Sequence, residues 1–245
     1  MSTHEQYMAD FMRVFSELDR WGPGSEQDTL KALSTVPFEP QQILEIGCGK
    51  GVATTVLATH TSAHIVAVDN DEPALARLWE RAREAGLSER IETACHSMQD
   101  LPFEEASFDV IWSEGSAYIM GLANAFEAWR PLLKTGGVLV VSDLVWLTDS
   151  PSDDARAFWQ EEYPDMSTVS DRLTQATAAG YTLIDTFELS EAAWSEYIVP
   201  LAKRAHEVAS QLPDSAALQD LERELEIYRN HLGEFGYQMF VFRKD

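Results

Sequence analysis

The 245-residue chain reads as an α/β protein built on a mostly parallel sheet. Three observations predict this. Between residues 42 and 142, short β-rich apolar runs alternate with helical runs, the pattern of βαβ units. One of them, "GGVLVVS" at 136–142, is apolar without alternation, as a strand covered on both faces should be. The first run leads into a glycine-rich turn, "ILEIGCGKG" at 43–51, which can bring main-chain N–H groups and a helix N-terminus up to a ligand.

Residues 5–18 set Tyr7, Met8, Phe11, Met12, Phe15 and Leu18 at three- and four-residue steps, one apolar face of a helix ending near Trp21-Gly22-Pro23-Gly24-Ser25. Strands are expected at 43–46, 64–68, 91–94, 108–112 and 138–142, with helices at 53–59, 73–85 and 123–133 between them. Asp71-Glu72-Pro73 starts the second of these helices with a cap, an acid and a proline, and Gly86 closes it. After residue 150 the pattern changes: 151–160 and 169–179 read as helices, 181–188 as a strand, and 191–232 as helical with a break at Pro213. "YQMFVFR", at 237–243, reads as the closing strand. So long a helical stretch between two strands exceeds any hairpin connection, and a covering role is expected. With no repeat and no low-complexity tract, residues 1–245 are expected to form one domain. Its core spans about 25–148, 180–190 and 236–245; its helical cap spans about 1–20, 150–179 and 191–235.

A formal net charge of −23 repels polyanions and anionic membranes, and the densest basic run, "RLWERAR" at 77–83, is broken by Glu80. Nucleic-acid and membrane partners are therefore not expected. The two cysteines, Cys48 and Cys95, form no CxxC pair, which suits a reducing compartment. There is no basic-then-apolar leader and no apolar run long enough to cross a bilayer, so a cytoplasmic protein is expected. No metal site is expected.

Chemistry concentrates around the glycine turn. Gly47, Gly49 and Gly51 follow a Gly-x-Gly-x-Gly spacing; Val52 stands where the pyrophosphate fingerprint Gly-x-Gly-x-x-Gly needs its third glycine. Glu45 lies inside the first strand, where a carboxylate needs a cation or a donor. Asp69 ends the second strand, 22 residues after Gly47, where a carboxylate can accept ribose hydroxyls. A ligand with a ribose, no pyrophosphate and a positive charge toward Glu45 suits this set.

These residues resemble the class I S-adenosylmethionine-dependent methyltransferases. The acid-x-Gly-x-Gly-x-Gly motif is matched by Glu45, Gly47, Gly49 and Gly51, and the acid at the tip of strand 2 by Asp69. "HSMQDLPF" at 96–103 is similar to the adenine loop, "FDVIWSEG" at 108–115 to strand 4 and the loop facing the reacting methyl, and "LLKTGGVLVVSD" at 132–143 to strand 5. The resemblance implies a Rossmann-like seven-stranded sheet with an antiparallel last strand, S-adenosyl-L-methionine as cofactor and S-adenosyl-L-homocysteine as product. It assigns Glu45, Gly47, Cys48, Gly49, Gly51, Asp69, Asn70, Ser97, Met98 and Ser113 to the cofactor. Glu114 and Tyr118 are the candidates for positioning the acceptor during catalysis. "GPGS" at 22–25 and "IWSEG" at 111–115 extend the likeness toward bacterial ubiquinone/menaquinone-biosynthesis-type methyltransferases.

Other readings have less support. A nicotinamide oxidoreductase shares the strand-turn-helix plan, but no tyrosine here has a lysine four positions on. A noncatalytic cofactor-binding module needs the same glycine turn. Nucleobase amino-methylating enzymes carry an Asn/Asp-Pro-Pro-aromatic motif where this chain has Ser113-Glu114-Gly115-Ser116, which points to a small-molecule acceptor instead. His96 beside the adenine loop reads as a polar packing residue. In the cap, Tyr7, Phe11, Trp146, Trp194 and Tyr197, with Trp159, are candidate acceptor contacts, and aromatic faces attract amines and quaternary cations. The oligomeric state expected is monomer or homodimer.

Overall fold

Alternate residues of β1 (Gln42–Ile46) bury on opposite faces of a central sheet, Ile43 in one core and Leu44 and Ile46 in the other. The computed structural model describes residues 3–245. β2 (His64–Asp69), β3 (Ile91–Cys95), β4 (Phe108–Ser113) and β5 (Leu133–Trp146) run parallel to β1. β6 (Ser167–Thr168) is a two-residue stub on β5, and β7 (Tyr181–Glu188) and β8 (Phe235–Lys244) complete the sheet. Its order is β3-β2-β1-β4-β5-β8-β7, with β8 antiparallel to both neighbours, so the seven-strand path and the antiparallel last strand agree with expectation.

Helices fill both faces. α1 (Thr3–Phe15), α2 (Glu26–Thr35), α3 (Val52–His60) and α4 (Glu72–Glu84) precede β4 or separate the first strands. α5 (Leu122–Trp129) and α7 (Val169–Ala178) pack together, and α6 (Asp153–Glu162), α8 (Glu191–Ala209) and α9 (Ala216–His231) join α1 in the cap. The break expected at Pro213 is the gap between α8 and α9. No helix among the described residues is long and apolar enough to cross a membrane.

Two boundaries differ from the sequence reading. The helix expected at 123–133 stops at Trp129, because Pro131 in the following tight turn has no N–H to continue the ladder. β5 then starts at Leu133 rather than 138, Leu133 pairing with Phe108 across a register shift. α2 was not anticipated at all. Ser25 caps it, accepting from the Asp28 N–H at 3.1 Å and donating to the Asp28 carboxylate at 2.6 Å.

Candidate active site

A cavity of about 580 Å³ lies between the carboxyl ends of β1, β2 and β4 and the cap, within the usual size of a small-molecule site. The glycine turn forms its floor. At Gly47 a Cβ would fall 2.2 Å from Ser116 Oγ, and at Gly51 2.0 Å from Leu78 Cδ1, so these two are small because neighbours press on them. Gly49 differs: its φ is +52° and a Cβ there would meet nothing within 4 Å. Its openness faces the cavity, which Gly47, Cys48 and Gly49 line and Gly51 does not. Gly51 instead starts α3 and lets it pack on α4.

Glu45 stands in register between Ala67 of β2 and Trp112 of β4, 3% exposed, with its Oε2 unpartnered. Burial pushes its carboxyl up to about 8; the Thr54 hydroxyl and Arg20 pull the other way, and Glu114 and Asp69 add to the rise. Across the cavity wall, Arg20 has two buried unpartnered nitrogens, Nε and Nη2. Its third, Nη1, donates to Glu114 Oε2 at 3.2 Å. Glu114 Oε1 in turn accepts from the Thr29 hydroxyl at 2.7 Å and the Trp112 indole at 2.9 Å. Three donors therefore engage Glu114. It lines the cavity, but its geometry makes it the support of Arg20 rather than a group released to an acceptor.

At the tip of β2, Asp69 accepts from the Gly49 N–H at 2.7 Å and the Asp71 N–H at 3.0 Å. Those bonds fix the carboxylate beside the turn while each oxygen keeps a further lone pair for a hydroxyl. Asn70, Ser97, Met98 and His96 line the same end, His96 with its ring edge-on to Phe103 at 6.2 Å. Ser113 does not reach the cavity. Fully buried, it shares a 2.8 Å hydrogen bond with Ser116, which lines the cavity and donates to the Ile46 carbonyl at 3.0 Å. Burial raises the Cys48 thiol well above its ordinary pKa, and Glu45 and Asp69 raise it further, so it is a poor nucleophile.

The acceptor residues divide. Phe11, Tyr118 and Tyr197 line the cavity, Phe11 stacked on Phe15 at 4.0 Å. Tyr7 does not: its hydroxyl donates to Asp220 at 3.0 Å across the α1–α9 contact. Trp194 packs edge-on to Tyr228 and Tyr237, and Trp146 sits in the β5–β8 ladder opposite Phe235; neither lines the cavity. Sequence reasoning missed Arg20, Thr29, Thr54, Ser116, Tyr163, Glu224, Tyr228 and Tyr237. A lone arginine before "WGPGS", in a chain so acidic, was the one signal available for Arg20. His60 and His64 are four residues apart, yet one ends α3 and the other opens β2; among the described residues no three ligating side chains converge.

Comparison with known proteins bears on the fold. Residues 43–137 match the family described as methyltransferase domain. The chain is 31% identical over 110 residues to 24-methylenesterol C-methyltransferase 2 of Oryza sativa subsp. japonica, covering 44% of this chain and 30% of that enzyme's length. An S-adenosylmethionine-dependent methyltransferase from Geobacter sulfurreducens in complex with S-adenosyl-L-homocysteine shares the fold with a TM-score of 0.81 at 18% identity, over 96% of this chain and 97% of that one. The [4+2]-cyclase SpnF shares it with a TM-score of 0.78 at 21% identity, over 98% and 94%. Residues 43–137 thus match a methyltransferase domain, and the sheet around them has the fold of the S-adenosylmethionine-dependent methyltransferase from Geobacter sulfurreducens.

Proposed function

We propose that the protein transfers the methyl group of S-adenosyl-L-methionine to a small-molecule acceptor, releasing S-adenosyl-L-homocysteine. One observation carries this reading: an unpartnered buried carboxylate oxygen on Glu45 and two unpartnered buried guanidinium nitrogens on Arg20 face one cavity at the glycine turn. Buried polar groups left so are costly. The ammonium and carboxylate of an amino acid satisfy both at once. Glu45 takes the ammonium, Arg20 the carboxylate, Asp69 the ribose hydroxyls, and Asn70, Ser97 and Met98 flank the adenine. When bound, the cofactor supplies an electrophilic methyl on a sulfonium. The chain's own part is to orient the acceptor and exclude water, the cap closing the cavity over the turn.

The net charge of −23 and the acids around the cavity support a small acceptor over a polyanion. Two free cysteines support the cytoplasm as its compartment. All assigned residues lie in one chain, so a monomer suffices. The likeness to quinone-biosynthesis-type enzymes leaves a quinone precursor among the acceptors to try.

Calorimetric titration with S-adenosyl-L-homocysteine tests the reading, with NAD as the control. Binding is expected, and Asp69→Ala should weaken it by one or two hydrogen bonds of about 1.5–3 kcal/mol each. Binding of NAD in its place would refute the assignment. A second reading follows from the cyclase that shares the fold: the cofactor binds but no methyl moves. Mass spectrometry of products from methyl-labelled cofactor separates the two.

A further inference from the structure

The cap end of the cavity has a character of its own. Tyr118, Tyr163, Tyr197, Tyr228 and Tyr237 line it, five of the chain's seven tyrosines, with Trp159 beside them. Ring centroids lie 5.6 Å apart for Tyr118 and Tyr163, 6.3 Å for Tyr197 and Tyr228, and 6.2 Å for Trp159 and Tyr228. Among these rings stands the Glu224 carboxylate, accepting the Tyr228 hydroxyl and acting electrostatically on Tyr118, Tyr197 and Tyr237. Glu162 lines the same end. Of the wall's Lys and Arg side chains, Arg20 is paired with Glu114 through Nη1 and its two remaining nitrogens are assigned above to the cofactor carboxylate, while Lys50 donates to the carbonyls of Ser16 and Leu18 at 2.5 Å each. Trp159, 6% exposed, keeps an unpartnered indole N–H for a polar atom of whatever enters.

Such a chamber discriminates between nucleophiles. A phenol, thiol or carboxylic acid must be an anion, or become one, to attack a methyl; two carboxylates, Glu224 and Glu162, whose neighbouring cation Arg223 is already paired with Glu161, disfavour that. An amine attacks as a neutral group and becomes a cation, which aromatic faces and a carboxylate stabilise. Resting on the methyl-transfer reading above, we propose that the acceptor is an amine, methylated at nitrogen inside this tyrosine-walled chamber with Glu224 as its counter-charge. The nitrogen lone pair forms the new N–C bond while the C–S pair leaves with sulfur, so the positive charge passes from sulfur to nitrogen. An amine that arrives as ammonium first gives its proton to Glu224; a primary or secondary amine gives it a second after transfer, and each passes on to solvent. Burial raises the Glu224 pKa, which strengthens the carboxylate as a proton acceptor. A tertiary amine needs no second proton transfer and leaves as a quaternary ammonium.

The probe is phenyltrimethylammonium against its neutral carbon isostere tert-butylbenzene, titrated into the full-length protein saturated with S-adenosyl-L-homocysteine. The ammonium is expected to bind about tenfold tighter, and Glu224→Gln to erase most of that ratio while leaving homocysteine-adduct affinity within about twofold. Tyr228→Phe, which keeps the ring, preserves the preference. Turnover is read in parallel with labelled cofactor on acceptors matched in shape: amines are labelled, while phenols, thiols, carboxylates and alkenes are not. Equal binding of the two probes, or label appearing on the oxygen, sulfur or carbon acceptors alone, overturns the amine proposal while cofactor binding stands. Failure of S-adenosyl-L-homocysteine to bind removes the functional reading itself, and the acceptor with it.

Discussion

Arg20 and Glu45 are the residues on which the cofactor reading is most exposed to test. Each presents buried polar atoms to the cavity that no protein group satisfies. Arg20→Ala should cost S-adenosyl-L-homocysteine two charge-assisted hydrogen bonds, about 1.5–3 kcal/mol each, measured by calorimetry. Adenosine, which lacks the amino-acid end, should bind wild type and variant alike. Equal losses for both ligands would move Arg20 out of the proposed contact. At this scale the sequence was legible where a motif fixes backbone and side chain together, as at Glu45, Gly49 and Asp69. It was illegible where a role depends on distant segments. Glu114 reads as a candidate for positioning the acceptor after strand 4 only until Thr29, Trp112 and Arg20 are brought to it, from as far as 94 residues away. Ser113 and Ser116 exchange places for a similar reason: strand alternation and the turn after β4 decide which hydroxyl faces the cavity, and three residues separate them.

Among elements, α2 and α8 share one fastening. Ser25 caps α2 and Ser190 caps α8, and both hydroxyls donate to Asp28 Oδ2, at 2.6 and 2.7 Å. Asp28 is buried, so Asp28→Ala leaves two cap hydroxyls without their acceptor and should lower stability by roughly 2–4 kcal/mol, visible as a drop in thermal midpoint. A shift too small to resolve would mean the helices are held by packing alone. The strands and most helices were legible because period and punctuation are local. α2 was overlooked because its cap is one half of a long-range junction, and its ten residues bury only Asp28, Thr29 and Ala32. The cap aromatics were harder still. Tyr7 and Trp194 carry the same composition signal as Tyr197 and Tyr228, and only the crossing of α1, α8 and α9 decides which rings face inward.

For the whole molecule, pH dependence follows from Glu45, which faces Arg20, Glu114, Asp69 and the Thr54 hydroxyl. Its carboxyl titrates near 8 in the folded protein against an ordinary 4.5, so between these values the native state binds more protons than the unfolded chain. Stability from this group is therefore greatest below 4.5 and declines as pH rises toward 8, by on the order of a few kcal/mol. The thermal midpoint of the ligand-free protein should fall across that window, and Glu45→Gln should flatten the decline. An unchanged slope in the variant would assign the loss to other groups. The overall architecture was the most legible level, since the βαβ rhythm marks the parallel strands and the family resemblance supplies the antiparallel last one; the strand order itself comes from the structure. The join between turn and cap was not, because nothing in "GCGKG" announces that Lys50 reaches the carbonyls of Ser16 and Leu18. That ammonium belongs to the floor yet fastens the roof. Whatever stiffens the floor also secures the entrance, and linkage makes the coupling mutual. Turnover should then follow a compulsory sequence, nucleoside in first and out last, with the smaller partner coming and going while the door is held.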